Sequence, residues 1–243
     1  MHKGKPFGEL FDAHVVCAFS LRFSGNTSLY YGDTRDSLDN RTHFLKDVGI
    51  DYQDIICAKQ VHGNNVKYVT EKDKGSGACT YETSIPDTDS FITDTFNLPI
   101  AMLTADCLCV FLYDLMKPAI AVVHAGWRST QKKVLTKTLE SMQEKFGTLP
   151  ENVYAAFGPR MRGCCYEVGD EFKTYFTCGL TEKHGRQYLD LGQVNKNELF
   201  DFGVKEENIF DSERCTSCHN TEFFSFRREG KYCGRTMSVI MMK

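Results

Sequence analysis

The central part of the chain, residues 100–157, reads IAMLTADCLCVFLYDLMKPAIAVVHAGWRSTQKKVLTKTLESMQEKFGTLPENVYAAF and carries the clearest alternation of strands and helices. Its apolar segments have the length of buried strands and are bounded by turn-forming residues. The sequence predicts strands over residues 100–104, 109–113, 119–123 and 153–157. Lys117 and Pro118 supply a turn between the second and third of them.

A helix is predicted between the last two of these strands. Ser129 or Thr130 can cap the free amide groups of its first turn, and Gly147 marks its end. The apolar residues of this helix recur at helical spacing and form one stripe: Leu135, Leu139, Met142 and Phe146. The result is a strand-helix-strand unit over residues 119–157.

The flanking parts of the chain predict further elements of both kinds. Strands are expected at residues 15–19, 55–61, 188–191, 223–227 and 237–241. Helices are expected between the first two strands, ending at Gly49, and at residues 168–176 and 194–202, with a surface loop at residues 75–86. Several strands are joined too tightly to be parallel neighbours. The expected fold class is α+β (mixed α/β), a layered sandwich of mixed β-sheet with flanking helices, in one domain over residues 1–243.

Composition excludes several classes of protein. The chain has 243 residues, 42% of them hydrophobic, and a formal charge of -3, so no large basic field predicts nucleic-acid binding. The apolar runs are too short to span a bilayer. Eleven irregularly spaced cysteines indicate a reducing compartment. Since no apolar signal-peptide core follows residues 1–5, a cytoplasmic location is expected.

Three short motifs each follow an apolar, strand-like run and contain a soft metal ligand. They are QVHG at residues 60–63, TADC at 104–107 and VHAGWR at 123–128. Imidazole and thiolate together suit zinc or a copper ion better than magnesium or calcium. Three protein ligands with one open position are typical of catalytic zinc. Taken singly, His62 could be a turn residue, Cys107 a packed thiol and His124 a hydrogen-bonded strand end.

The motifs also carry a family resemblance. QVHG, LTADC at residues 103–107, HAGWR at 124–128, GP at 158–159, CYEVG at 165–169 and FFSFRR at 223–228 occur in this order. Over residues 19–241 the chain resembles the YfiH-type family, known as multicopper polyphenol oxidase or laccase-domain proteins and now regarded as purine nucleoside phosphorylases. One departure from the family pattern is the segment at residues 22–25, where a Gly-Gly pair is replaced.

The resemblance implies a zinc site formed by His62, Cys107 and His124. It also implies phosphorolysis of adenosine, inosine, guanosine and methylthioadenosine, and hydrolytic deamination of adenosine, with purine nucleosides and phosphate as partners. Deamination suits such a site, because zinc with an open position activates water for attack on C6 of adenine. Asp106 is the candidate for the neighbouring acid/base.

Phosphorolysis further requires a binding site for phosphate. Guanidinium groups suit this role because they bind oxygens in pairs. Arg128, which follows the third motif, and the Arg227 and Arg228 pair are the candidates, although most arginines are surface charges or form salt bridges. Gln60, the first residue of the QVHG motif, is also assigned to substrate binding.

Four other interpretations stay open. A metal-free cysteine hydrolase would use Cys107 as nucleophile and His124 as base. A copper-dependent phenol oxidase is disfavoured by only seven histidines and no His-x-His pair, and a non-catalytic metal-binding module is the third. The CTSCH segment at residues 215–219 matches the pattern of covalent haem attachment. Together with Cys233, its cysteines could instead form a structural metal site. We interpret them as loop cysteines.

Overall fold

The computed structural model describes residue 11 and residues 14–243. The N-terminal sequence used to infer the compartment therefore lies outside the described part. The strands of the described part are β1 Val15–Phe19, β2 Ile56–Cys57, β3 Val66–Tyr68, β4 Ser90–Thr93, β5 Ile100–Thr104, β6 Leu108–Asp114, β7 Ala119–Ala125, β8 Val153–Phe157, β9 Glu167–Val168, β10 Leu180–Lys183, β11 Arg186–Leu189, β12 Ile209–Asp211 and β13 Thr236–Met242. Its helices are α1 Thr34–Asp47, α2 Trp127–Gln131, α3 Val134–Phe146, α4 Phe172–Tyr175, α5 Leu191–Phe202 and α6 Phe226–Glu229.

Two mixed sheets form the body of the protein. The first has the strand order β1-β13-β5-β2 and the second β12-β8-β6-β7-β4-β3. In the second sheet β6 pairs antiparallel with both β7 and β8. The connection from β7 through α3 to β8 therefore returns to the sheet two strands away, parallel to β7. A small antiparallel sheet, β10-β11-β9, lies beside them.

The layers follow from alternation along the strands. On β6, Cys109 and Phe111 pack with residues of the first sheet, including Met102 of β5. Val110 on the opposite face packs with Leu139 of α3. The outer face of the first sheet is covered by α1. The order of layers is thus α1, first sheet, second sheet, and α3 with α5, which confirms the predicted mixed α/β sandwich.

The predicted helix after β7 is divided in two. Helix α2 begins directly after Gly126, its N-cap, and Ser129 and Thr130 lie buried within its first turns. Lys133 then adopts a left-handed conformation, with φ 61°, before α3 begins. The predicted start at Ser129 or Thr130 was wrong, since the helix begins at Trp127 with Gly126 as its N-cap. Gly126 lets the backbone approach Cys107, whose sulfur would lie 3.0 Å from a Cβ at this position.

Several other sequence predictions need correction. The predicted strand at residues 223–227 is an irregular segment followed by α6, because the N–H of Ser225 donates to the Glu229 side chain and that of Arg227 to the Asp106 carboxylate. The helix predicted at residues 168–176 is reduced to α4, and the strand at 55–61 to β2. The predictions missed five strands: β3, β4, β9, β10 and β12.

A buried ion pair joins the end of β12 to the segment after β8. Arg160 is 1% exposed, and its guanidinium donates two hydrogen bonds to Asp211, at 2.8 and 2.6 Å. Burial raises the pKa of Asp211, but the hydrogen bonds and charge of Arg160 outweigh it, and the pKa is lowered. A Cβ at Gly192 would lie 1.9 Å from Arg160 Nη2, so only glycine leaves room for this pair.

Asp211→Asn is expected to lower the free energy of unfolding by about 2–4 kcal/mol at pH 7, because it leaves a buried guanidinium without its carboxylate. The loss of stability is limited by a second carboxylate, Asp190, whose Oδ1 lies 3.8 Å from Arg160 Nη2. Since the folded pKa of Asp211 is lowered, its contribution is fully present above the unfolded pKa of about 3.9, and it decreases as pH falls from there through the folded pKa. Urea denaturation of both proteins at pH 7 and about pH 3 measures this. Asp170→Asn, at an exposed surface pair, is the control and should change little.

Candidate metal centre

The first candidate ligand, His62, lies in the loop between β2 and β3. Its backbone adopts a left-handed conformation, with φ 56°, which is uncommon for residues other than glycine. The backbone N–H groups of Val61, His62 and Gly63 all donate to the carboxylate of Asp89, at 3.3, 3.0 and 2.7 Å. One buried carboxylate therefore sets the conformation of the histidine loop.

The second candidate, Cys107, lies where the chain crosses from β5 of the first sheet to β6 of the second. Asp106, directly before it, has φ 82°. Strained backbone at a position that carries a reactive side chain is common at functional sites, because surrounding contacts must hold it. Here the carbonyl of Asp106 accepts from Met161 N at 3.0 Å.

The third candidate, His124, lies near the end of β7 and is 2% exposed. Its Nδ1 lies 2.7 Å from Asp89 Oδ1, and its backbone N–H donates to the carbonyl of Asp89 at 2.8 Å. This contact fixes the ring and leaves Nε2 as the atom that can bind a metal. Asp89 thus orients two of the three candidate ligands.

The three side chains meet at one point. Their ligand atoms all lie within 4.8 Å of one another. Cys107 Sγ lies 4.0 Å from His62 Nε2, and the two imidazole rings are 4.7 Å apart at 77°. A Cβ at Gly126 would lie 3.0 Å from Cys107 Sγ and 3.1 Å from His62 Cδ2. Two nitrogens and one sulfur at these distances fit a zinc or copper ion.

In the metal-free protein, the Cys107 thiol and the His124 imidazole each favour the charged form of the other. Burial raises the pKa of Cys107, but His124 and His62 outweigh burial and lower it to about 6. Burial lowers the pKa of His124, but Cys107 and Asp89 raise it to about 9. Cys107 is therefore a thiolate at neutral pH, the form that binds metal.

Asp89 was missed in the sequence because it precedes β4, one of the strands that the apolar pattern did not predict. Burial raises its pKa, but the hydrogen bonds from His124 and the backbone of the His62 loop lower it. A carboxylate at the start of a short strand, in the PDTDS segment at residues 86–90, is the only local signal that could have indicated it.

Asp106 points away from the open side of the centre. Its Oδ1 accepts from the hydroxyl of Thr216 at 2.6 Å and its Oδ2 from the backbone N–H of Arg227 at 2.7 Å. The carboxylate is buried, at 8% exposure. These contacts support a positioning role: Asp106 connects the segment that carries Cys107 to two distant loops.

Gln60 uses both ends of its amide to continue the pairing of β2 with β5. Its Nε2 donates to the carbonyl of Leu103 at 3.0 Å, and its Oε1 accepts from Leu103 N at 2.9 Å. Gln60 also lines the cavity beside the three candidate ligands. The Gln60 side chain therefore fixes the wall of the cavity through its two hydrogen bonds to the backbone of Leu103.

The structure separates the three arginines assigned to phosphate. Arg128 is exposed and stacks over the ring of Trp127 at 4.2 Å. Arg227 donates to the carbonyl of Glu167 at 3.0 Å and lies 5.3 Å from the ring of Tyr166. Arg228 instead donates to the carbonyl of Ser217 at 3.1 Å, which directs it away from the ligand cavity.

Tyr166 connects two of these arginines to the centre. Burial raises the pKa of its phenol, the negative charges of Cys107 and Asp106 raise it further, and Arg227 and Arg128 oppose the shift. The phenol therefore stays neutral at physiological pH and lies within electrostatic reach of Cys107. Sequence analysis quoted this residue only as part of a motif.

A cavity of about 470 Å³ opens beside the three candidate ligands. Tyr30, Tyr31 and Tyr81 form an aromatic wall, with the ring of Tyr30 centred 4.7 Å from each of the other two. Arg235 lines the cavity with its guanidinium 4.2 Å from the ring of Tyr31. Sequence analysis missed all four, because they come from three distant parts of the chain: the segment after β1, the loop at residues 75–86 and the segment before β13.

The CTSCH segment forms a compact turn rather than a haem site. His219 Nδ1 lies 3.0 Å from the carbonyl of Cys215. Cys215 and Cys218 lie beside Cys164 and Cys165. Cys233, the partner considered from the sequence, contacts Glu229 and the carbonyl of Gly234 instead, so its inclusion in a second metal site was wrong.

Among the described residues no helix has the length and apolar character to cross a membrane. The charged residues of the longest helix, α1, such as Arg35, Asp36 and Lys46, are typical of a helix with one face in water.

Comparison with known proteins links this geometry to a family. Residues 19–243 match the family model described as multi-copper polyphenol oxidoreductase laccase. The chain is 35% identical to the purine nucleoside phosphorylase YlmD of Bacillus subtilis, over 94% of this chain and 89% of that protein. It is 32% identical to the adenosine deaminase RL5 of an unknown prokaryotic organism, over 91% of this chain and 88% of that protein.

Solved structures agree with the sequence comparison. The crystal structure of the Bacillus licheniformis protein YfiH superimposes with a TM-score of 0.91 at 30% identity, and covers 95% of this chain and 94% of that one. The YlmD structure from Geobacillus stearothermophilus gives the same TM-score at 29% identity, over 95% and 93% of the two chains. The chain therefore belongs to the laccase-like enzyme family that includes the YfiH and YlmD purine nucleoside phosphorylases.

Proposed function

We propose that this protein is a zinc-dependent purine nucleoside phosphorylase that also deaminates adenosine. Its substrates are adenosine, inosine, guanosine and methylthioadenosine, with phosphate as the second substrate. The observation that carries the proposal is the convergence of His62, Cys107 and His124 at the edge of a cavity with an aromatic wall and an arginine. The names of the relatives support the same activities.

The donor set suits zinc in a catalytic role. Two imidazoles and one thiolate leave a coordination position for a ligand from solvent or substrate. Bound there, zinc would act as a Lewis acid toward an oxygen of phosphate or water. Asp89 holds His124 with Nε2 available for the metal, and the low pKa of Cys107 keeps the thiol deprotonated.

The aromatic wall is suited to a purine base. Stacking of a base on tyrosine contributes about 1–3 kcal/mol and tolerates different bases, which agrees with activity on adenosine, inosine and guanosine. Tyr30 is 61% exposed and Tyr31 37% exposed in the protein without substrate. A base inserted against them would bury apolar surface that now faces solvent.

Phosphorolysis joins phosphate to the sugar. A phosphate oxygen forms a bond to C1′ while the bond between C1′ and N9 breaks, and the base leaves with the electron pair and takes up a proton. Arg235 on the cavity wall is the arginine best placed to hold the phosphate, with Arg128 and Arg227 on the side of Tyr166. Arg228 is not part of the phosphate site in this proposal, because it does not line the cavity beside the candidate ligands. Arg235 also donates to backbone carbonyls, those of Cys233 and Gly234, but it does line the cavity.

Deamination uses water in place of phosphate. The water oxygen adds to C6 of adenine, the bond from C6 to the exocyclic nitrogen breaks, and ammonia leaves as adenosine becomes inosine. The proton transfers are not assigned to Asp106, since Thr216 and the backbone of Arg227 occupy its two oxygens.

The proposal is tested by following the products of adenosine with purified, zinc-loaded protein. Release of adenine should require phosphate, whereas formation of inosine should not. Both should be lost on chelation and restored by zinc. Activity that survives complete chelation would favour the metal-free hydrolase with Cys107 as nucleophile. Oxidation of phenols by the copper-loaded protein, without nucleoside turnover, would favour the oxidase.

Arg235→Gln tests the phosphate site separately. The KM for phosphate is expected to rise by about tenfold or more, since a charge-assisted pair of hydrogen bonds is lost, while deamination of adenosine changes little. Initial rates at varied phosphate concentration measure this. Arg186→Gln, at an exposed pair with Glu167, is the matched control. An unchanged KM for phosphate in Arg235→Gln would remove Arg235 from the site.

The cytoplasmic location inferred from cysteine usage is part of the same proposal. Cell fractionation with an antibody to the protein tests it; recovery of the protein outside the cytoplasmic fraction would contradict it.

A further inference from the structure

Four cysteines outside the candidate metal centre converge between two loops. Cys164 and Cys165 lie on the segment before β9, and Cys215 and Cys218 lie on the segment after β12. All four sulfurs are within 4.8 Å of one another. The Cys218 sulfur lies 3.6 Å from that of Cys164 and 3.3 Å from that of Cys165.

We propose that these four cysteines bind a second zinc ion, which has a structural role. Structural zinc is closed by four protein ligands in a tetrahedron, and a set of four thiolates is one of its common ligand sets. The candidate metal centre, in contrast, offers three ligands. The inference concerns a separate set of residues and stands independently of the proposed catalytic function.

The distances between the sulfurs favour a shared metal ion. With a zinc–sulfur bond of about 2.3 Å, neighbouring sulfurs in a tetrahedral site lie roughly 3.8 Å apart. The measured separations of 3.3 and 3.6 Å are close to that value. In a [4Fe–4S] cluster each thiolate would bind a different iron, and in a [2Fe–2S] cluster two thiolates would bind each iron. The four sulfurs would then not all lie within 4.8 Å of one another, as they do here.

A disulfide explains the arrangement less well. One disulfide would use two of the four sulfurs, and the Cys218 sulfur lies within 3.6 Å of two partners on adjacent residues. A bond requires the sulfurs to approach to about 2.05 Å. A single ion at the middle accounts for the presence of all four side chains at one point.

The surroundings suit a site with negative charge. A zinc ion with four thiolates carries a net charge of −2, and three cations hold the backbone of the two loops. Arg162 donates to the carbonyl of Glu213 at 2.8 Å, Lys183 to that of Gly163 at 3.3 Å and Arg228 to that of Ser217 at 3.1 Å.

The position of the cluster gives the ion a role in the enzyme. Thr216, between two of the cysteines, donates its hydroxyl to Asp106, the neighbour of Cys107. Its backbone N–H donates to the carbonyl of Arg160 at 3.0 Å. A zinc ion that joins the two loops would therefore hold the threonine that fixes the strained segment before Cys107.

Zinc content distinguishes the two sites. Protein purified under reducing conditions and loaded with zinc is expected to contain about two zinc ions per chain, and both the Cys107→Ala variant and the Cys215→Ser/Cys218→Ser variant about one. Cys79→Ser, at an exposed cysteine outside both clusters, is the matched control and should keep two. Equal zinc content in wild type and the double variant would overturn the proposal.

Cobalt spectroscopy identifies the ligands without relying on the folding of the double variant. The Cys107→Ala protein, reconstituted with Co²⁺, should show the strong sulfur-to-metal charge-transfer bands of tetrahedral thiolate coordination. Absence of these bands would contradict the four-cysteine site. Iron together with inorganic sulfide in the purified protein would overturn the proposal in favour of an iron–sulfur cluster. Loss of two titratable thiols on purification without reductant, with no bound metal, would overturn it in favour of a disulfide.

Stability provides a further readout. In the Cys107→Ala background, the additional Cys215→Ser/Cys218→Ser change is expected to lower Tm by about 5–10 °C, because structural zinc stabilises only the folded state. Cys79→Ser in the same background should leave Tm unchanged. If the Cys215→Ser/Cys218→Ser change and the Cys79→Ser change have the same effect on Tm, a structural role of the ion is excluded.

Discussion

Cys107→Ala is expected to lose the metal bound at the candidate centre and to lower nucleoside turnover by about 10³-fold or more. The expected loss is this large because residues that act together in catalysis fail when one of them is removed. The variant replaces the only anionic ligand of the three. His62 and His124 alone would leave two neutral donors, and of the two groups that raise the pKa of His124 only Asp89 would remain.

The fold of the variant should be preserved. Cys107 lies at a crossing between sheets and is not part of the apolar core, so its truncation removes little buried apolar surface. Circular dichroism and Tm check the fold, elemental analysis measures metal, and product release measures activity. Cys79→Ala is the control and should match wild type. Full turnover by Cys107→Ala would refute both the zinc mechanism and the cysteine hydrolase.

Asp89→Asn is expected to weaken metal binding by about 10–100-fold, the usual effect of changing a group that orients a metal ligand. The amide is nearly isosteric with the carboxylate, but its NH₂ group must face donors. Oδ2 of Asp89 now accepts from the backbone N–H groups of Val61 and Gly63, and Oδ1 lies 2.7 Å from His124 Nδ1. Whichever way the amide turns, one of these contacts becomes unfavourable.

The same substitution should also lower stability, by about 1–3 kcal/mol, because it leaves buried donors unsatisfied. Competition with a chelator of known affinity measures metal binding, and urea denaturation of the metal-free protein measures stability. Asp94→Asn, just after the other end of β4, is the matched control; its exposed side chain accepts only from Tyr68 among the described contacts. Excess zinc should restore part of the turnover of Asp89→Asn, and unchanged metal affinity would show that Asp89 does not orient the ligand.

Much of the fold is visible in local patterns. The strands predicted at residues 15–19, 100–104 and 153–157 have the bounds of β1, β5 and β8. These strands are buried and flanked by turns, so hydrophobic periodicity alone indicates them. The short strand β4 was not predicted, because two of its four residues, Ser90 and Thr93, are polar and their burial depends on partners elsewhere in the chain.

Local patterns also misled at the C-terminal FFSFRR segment. Its alternation of apolar residues is typical of a strand, and Phe223 is in fact buried. The backbone of this segment is nevertheless bound by the side chains of Asp106 and Glu229 and not by a neighbouring strand. Alternation reports which side chains face the interior, whereas strand formation needs a partner for the backbone.

The sequence by itself determined the mixed α/β class and the three residues with soft metal-ligand chemistry, because both depend on residue type and short-range periodicity. Only the tertiary structure decided which groups support those residues. Asp89 and His124 are 35 positions apart in the sequence, and Asp106 and Thr216 are 110 positions apart, yet each pair is in contact. Cys164 and Cys165 lie beside the Cys215 loop only because β12 joins the sheet next to β8. Such contacts are set by how strands and loops pack in space, and no local pattern in the chain encodes them.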